Sequence, residues 1–319
     1  MRDSFIERLS HLAERDPRIM LITGDLGFGV FNDYQRRFPQ QFLNVGIAEQ
    51  NMIGVGTGLA LEGRIVYTYS IANFAFMRCL EQIRNDASYH GAKVNVVAVG
   101  GGFSYGALGI SHHATEDLAI MRSLPGLKVF SPCDDWEAAE ATQAMSGLEG
   151  TCYLRLDRSS AGSTQLPGEV YEVGKARRLC EGSDLTIAVT GGIAEEALKA
   201  AASLAQVGVS CRVLSFHTIK PLDTEALIAA ATETGGLLTL EEHSVDGGLG
   251  GAAAESLLEA GYAPRFFHRI GLRQGFSSVV GSQSYLRSIY GLDAAAVVIK
   301  ATELLSKPAK ISRSLPRAA

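Results

Sequence analysis

Two things are scarce in this chain of 319 residues: cysteines at paired spacing and uninterrupted apolar sequence. The five cysteines, Cys79, Cys133, Cys152, Cys180 and Cys211, show no CxxC spacing and are odd in number. That argues against a disulfide framework and for reduced core thiols in a cytosolic compartment. No run of about 18 apolar residues is present to cross a bilayer. The opening residues, MRDSFIERLSHLAERDP, mix charge with apolar residues at helical spacing and lack the continuous apolar core of a signal peptide. Basic charge is short as well: a formal net charge of -5 offers no field for nucleic acid or an anionic membrane. The expectation is a soluble, cytoplasmic protein whose partner is a small molecule or another protein.

What is there is a globular balance, 46% hydrophobic and 20% charged, in a chain long enough for two compact units. Short β-branched runs alternate with longer helical patterns, the signature of parallel sheets connected by helices. Strands are predicted at 19–24, 64–70, 94–100, 127–132 and 151–157, with helices over 46–62, 73–90, 115–123 and 134–147. After Asp157 the sequence turns to RSSAGSTQLPGE, a linker composition. Alternation then resumes with strands at 184–191, 211–216, 236–242 and 265–271. The fold class expected is α/β in two domains, 1–160 and 181–306, each a mostly parallel sheet flanked by helices. A linker over 161–180 joins them, and a basic tail follows over 307–319.

One stretch is out of character for a buried helix: 46-GIAEQNMIGVGTGLALEG-63. Helical spacing sends Ile47, Ile53, Val55 and Leu59 inward with Gly54, Gly56, Gly58 and Ala60, and each glycine costs about 1 kcal/mol relative to alanine. Something must approach that backbone closely. The residues alone leave two readings open: a packing interface with Glu49 as a first-turn carboxylate favoured by the helix dipole, or a ligand site with Glu49 at its head.

Taken together, GIAEQNM, YSIANFAFMRCLEQIRND, GISHHATEDLAIMRSLPGLKVFSPCD, YLRLDRSSAG, KPLD and EEHSVDGGLGG occur in one order along nearly the whole chain. In that order they resemble thiamine-diphosphate enzymes of the transketolase type. The resemblance is to the pyrimidine-binding and C-terminal domains only. The family's preceding domain holds the cofactor's diphosphate through Mg²⁺ at a GDG sequence with a downstream Asn, and no GDG occurs here. The implied protein is therefore the C-terminal subunit of a split transketolase, transferring a two-carbon ketol unit from a ketose-type donor to an aldehyde. Its partner would be an N-terminal subunit of about 270 to 300 residues carrying GDG and Asn, in an α2β2 heterotetramer.

The resemblance also implies roles. Glu49 matches the glutamate that bonds N1' of the aminopyrimidine, and Phe74 the aromatic that stacks on it. Ile71 and Met77 match neighbouring ring contacts, and Asp25, in ITGDLGFG, a strand-end acid near the cofactor. His112 matches a histidine facing substrate, and Arg158 an arginine that binds a terminal phosphate by a bidentate guanidinium. The glycines of 100-GGGFSYGALG-109 suit a loop that closes on substrate or a solvent-exposed turn. HTIKPLD and EEHSVDGGLGG resemble segments of the family's subunit interface. Gly100 and Leu108 stand where sugar-phosphate transketolases carry a substrate-facing histidine and aspartate, so the usual sugar pair is not implied. The alternatives are the β subunit of a 2-oxo-acid dehydrogenase, a deoxyxylulose-phosphate-synthase-like carboligase, or a noncatalytic scaffold that kept the fold.

Overall fold

The computed structural model describes residues 1–27, 29–273 and 275–306; the basic tail expected over 307–319 lies outside the described residues. The first half supplies β1 (Ile19–Thr23), β2 (Phe42–Asn44), β3 (Ile65–Ile71), β4 (Val94–Val99), β5 (Lys128–Phe130) and β6 (Cys152–Leu156). The second supplies β7 (Arg177–Cys180), β8 (Leu185–Val189), β9 (Cys211–Ser215), β10 (Thr218–Lys220), β11 (Leu237–Ser244) and β12 (Phe267–Leu272). They form a seven-stranded sheet of order β10-β5-β6-β4-β3-β1-β2 and a five-stranded sheet of order β12-β11-β8-β9-β7. All pairings are parallel except β10 on β5 and β7 on β9.

Central strands explain the pattern. Every residue of β4 is buried, as continuous apolar strands are when helices cover both faces of a parallel sheet. Val96 packs into a core with Ile22, Met52 and Phe76 on one face, and Val97 into a core with Phe5, Tyr67 and Leu154 on the other. A third core under β8 and β11 is built from Ile187, Val189, Leu238 and the alanines of the helix Ala194–Ala205.

Three strands, β2, β7 and β10, have no counterpart in the sequence expectation. Each has three or four residues, below the usual strand length, and each sits at a sheet edge, too short to show an apolar alternation. β7 falls inside the segment 161–180 read as linker and pairs with β9. β10 leaves the second half of the chain to close the first sheet against β5, so HTIKPLD ties the two domains of one chain together.

The glycine-rich helix also differs from its expectation. It runs Glu49–Leu61, with Ala48 as N-cap, and buries Met52, Ile53, Gly56, Thr57 and Ala60. Only Gly56 meets the sheet, where a Cβ would come within 3.2 Å of Val66. Gly54 and Gly58 face outward, and Ile47 lies before the helix, 79% exposed. The helix expected over 73–90 is three pieces, Ala72–Phe76, Leu80–Gln82 and a π-helical turn Ile83–Ser88.

A buried ionic network joins the domains. Arg155, 2% exposed, bonds Asp117 at 3.1 Å, Asp157 at 3.0 Å and the Glu242 carbonyl at 3.0 Å. Tyr153 donates to Asp117 at 2.8 Å. The Glu242 carboxylate accepts from the Phe103 N–H at 2.6 Å, from Gln283 at 2.8 Å and from Arg287. Burial works against the Arg155 charge, but Asp117 and Asp157 outweigh it and its pKa is raised. The glycine cluster of EEHSVDGGLGG forms the connection from β11 to the helix Leu249–Glu259, held by Glu241 accepting from the Leu249 and Gly250 N–H groups at 2.7 and 2.9 Å.

Candidate active site

Ligand sites of parallel sheets lie beyond the carboxyl ends of the strands, and the expected residues gather there. Glu49 opens its helix with a side chain only 5% exposed. It lies against Gly24, the residue after β1, where a Cβ would sit 3.6 Å from Glu49 Cγ. Asp25 follows in the left-handed region at φ 57, and Asn44 at the end of β2 fixes it by accepting from its N–H at 2.9 Å and donating to its carboxylate at 3.1 Å. Ile71 ends β3 and caps the helix Ala72–Phe76, which carries Phe74; Met77 follows, half exposed.

His112 comes from the loop after β4 and meets Phe74 edge-on, ring centroids 5.2 Å apart. Ser111 bonds its Nδ1 at 2.9 Å. Partial burial lowers the His112 pKa, and the charges of His113 and Arg78 add to the effect, so the ring is neutral near pH 7. His113 points elsewhere, buried between Ser277 and the Gly106 carbonyl.

The loop 100–109 is not the free flap its glycines suggested. Residues 100–104 are buried, Gly102 bridges Ala114, and Gly106 exchanges backbone contact with Gly281 of the second domain. Asn73 clamps its far end by donating to the carbonyls of Ile110, Ser111 and His113 at 3.3, 3.1 and 3.1 Å.

Arg78 joins the expected residues to one another. Its guanidinium donates to Glu49 at 3.2 Å and lies over the Phe74 ring, 3.9 Å from the centroid. A planar, N–H-donating group thus occupies a slot with a carboxylate at its edge and an aromatic on its face.

Two family models match, the transketolase pyrimidine binding domain over residues 1–163 and the transketolase C-terminal domain over residues 174–297. The chain belongs to the transketolase family. Among its relatives, a 6-deoxy-6-sulfo-D-fructose transketolase subunit from Clostridium sp. (strain MSTE9) is 37% identical over 308 residues, 96% of this chain and 95% of that protein. An apulose-4-phosphate transketolase subunit from Phocaeicola vulgatus is 35% identical over 314 residues, 96% and 97% respectively. A split-gene transketolase solved as an inactive β4 tetramer superposes with a TM-score of 0.85 at 36% identity, covering 95% of this chain and 97% of that one. These relatives are subunits of split transketolases or of about this chain's length, and this chain carries the same pyrimidine-binding and C-terminal domains.

Thiamine diphosphate is the cofactor of transketolases, and its aminopyrimidine, like the Arg78 guanidinium that bonds Glu49 and lies over Phe74, is flat and N–H-donating. The residues present fit that end of the cofactor. They do not fit Mg²⁺. Among the described residues the one cluster of three close donors is Cys133, Asp134 and Glu137. Its carboxylates are engaged by the backbone N–H of Glu137 and Cys133, by Thr164 and by Arg177. A hard cation prefers uncommitted oxygens.

Arg158 stands further out, exposed, its guanidinium 5.9 Å from the centroid of Tyr105, whose ring is in turn 6.2 Å from His112. It borders a cavity of about 300 Å³ that also contains Arg2, a residue the sequence reading passed over. On its other side opens a cleft of about 640 Å³ between the domains, lined by Tyr105, Lys199 and Gln283. Arg2, Asn73, Arg78 and Tyr105 are the site residues that sequence reasoning missed. Only Asn73 and Arg78 carried a signal, their place beside Phe74 in SIANFAFMR.

Proposed function

We propose that this transketolase chain takes up the aminopyrimidine half of thiamine diphosphate and, with a partner holding the diphosphate and Mg²⁺, moves a two-carbon ketol unit from a ketose-type donor to an aldehyde. The observation that carries this reading is the buried Glu49 carboxylate beside an aromatic face, in a slot already filled by a planar N–H donor. When bound, the cofactor supplies the nucleophilic carbon that carries the two-carbon unit. Glu49 holds the proton of a ring nitrogen, Phe74, Ile71 and Met77 give the ring an apolar wall, and Asp25 orders the turn beneath it. His112, neutral at working pH, bonds substrate oxygens as donor or acceptor. Arg158 and Arg2 pair with a terminal anionic group, as guanidinium does with phosphate or sulfonate. The two relatives named above act on sugars with such a group.

The rim supports a docking partner. Ile47, Met77, Leu108 and Ile110 are all at least 48% exposed around the slot, and apolar rims of this kind mark association surfaces. The partner is an N-terminal subunit of about 270 to 300 residues, carrying GDG and Asn, in an α2β2 heterotetramer in the cytoplasm. Reconstitution tests this reading. Mixing the two subunits with thiamine diphosphate and Mg²⁺ gives ketol transfer that neither has alone and a mass of two copies of each. This chain without its partner self-associates and is inactive. Equal activity of the isolated chain would contradict the proposal.

A further inference from the structure

At the end of the central strand β4, Gly100 takes a backbone conformation with φ 93, and a Cβ there would lie 2.1 Å from Cε2 of Tyr105. The volume a side chain at position 100 would fill belongs to the Tyr105 ring. That ring is half-buried and central to the site: its edge meets His112, the Arg158 guanidinium lies over it, and it lines both the cavity containing Arg2 and the interdomain cleft. Its hydroxyl makes no hydrogen bond to another described residue.

From this geometry we infer that Tyr105 is a specificity-determining residue, reading the middle of a polyhydroxylated substrate whose terminal anion sits at Arg158 and Arg2. The inference rests on the ketol-transfer reading and extends it to the substrate's class. A chain reaching from His112 to Arg158 runs along Tyr105, which neighbours both: its ring centroid is 6.2 Å from that of His112 and 5.9 Å from the Arg158 guanidinium. The phenol then has one job suited to its open valence: it donates to, or accepts from, a hydroxyl on a carbon between the reacting end and the anion. The ring has a second, holding the Arg158 guanidinium over its face. A two-carbon aldehyde is too short to reach either, so it reports the reaction centre without Tyr105.

The test uses the reconstituted complex with one donor and two acceptors. Hydroxypyruvate gives its two-carbon ketol unit to the aldehyde, and its carboxyl leaves as carbon dioxide. Glycolaldehyde is the short uncharged acceptor; ribose 5-phosphate is the long one with a terminal anion. Tyr105→Phe raises the KM for ribose 5-phosphate by about three- to tenfold more than the KM for glycolaldehyde, one hydrogen bond's worth, and the difference between acceptors falls on KM rather than kcat. Tyr105→Ala, which also frees Arg158, raises the KM for ribose 5-phosphate further. Phe keeps the ring over Gly100, so a melting temperature equal to wild type excludes a packing effect. Equal changes with both acceptors, no change with ribose 5-phosphate, or a wild-type complex that uses glycolaldehyde but not ribose 5-phosphate overturns the role of Tyr105 while leaving ketol transfer standing. A wild-type complex inactive with glycolaldehyde removes the functional reading itself and this inference with it.

Discussion

Glu49→Gln separates catalysis from folding at this site. The substitution keeps the side chain's size against Gly24 and removes its charge. Among the described residues of the free subunit the charge has one ionic partner, Arg78, at 3.2 Å, whose side chain is 49% exposed. A pair with one arm in solvent contributes about 0–1 kcal/mol, and in a chain of this size about 1 kcal/mol moves the melting temperature by roughly 2–4 °C. The variant therefore folds and melts within a few degrees of wild type. Activity is another matter. A side chain that holds a proton in the reaction contributes about 10²–10⁴-fold, which is several times the stability term when both are expressed as free energy. Thermal melts of the subunit and hydroxypyruvate turnover by the reconstituted complex measure the two quantities on one preparation. A Glu49→Gln complex within tenfold of wild-type turnover refutes the assignment. So does a fall in turnover that tracks a loss of folded protein.

Two further outcomes follow from the same geometry. Asn73→Ala frees three carbonyls of the His112 loop and costs about 1–3 kcal/mol of stability; turnover falls at least about tenfold because a displaced His112 no longer meets substrate, and unchanged turnover counts against the clamp. His217 is stacked on Tyr171 with its pKa lowered chiefly by burial, so the folded state resists the proton that the unfolded chain accepts. Stability is therefore full above about pH 6.5 and lost as pH falls through the depressed folded value, by about 1.4 kcal/mol for each pH unit separating the folded and unfolded values. Urea midpoints for wild type and His217→Gln should converge between pH 7.5 and 5.5, and parallel lines would remove His217 from the account.

Much of this was legible in the sequence, for identifiable reasons. β4 and β8 are continuous apolar runs buried on both faces, and such runs are readable without context. Edge strands are not: β2 is too short to show a pattern, and β10 owes its pairing to β5, far back along the chain. The reading of the glycine helix failed on its faces, because glycine carries no side chain to reveal which way it points, and two of its three interior glycines turned out to face solvent. Glu49, Phe74 and His112 were singled out through the resemblance of GIAEQ, SIANFAF and GISHHA to transketolase motifs. Arg2 and Tyr105 were not. Arg2 reaches the site only when the first helix folds back beside β4, and Tyr105 has meaning only once its ring is seen over Gly100.

The strand β10 decides where such an enzyme can be cut. Its three residues come from the second domain's sequence but complete the first domain's sheet, and the Arg155 side chain reaches across to the Glu242 carbonyl in the same union. Scission between the domains would bare the edge of β5 and take the Glu242 carbonyl from Arg155 and the Phe103 N–H from the Glu242 carboxylate, at about 1–3 kcal/mol for each buried group left open. A chimera that exchanges the C-terminal half between relatives keeps its fold only when the donor brings its own matching β10.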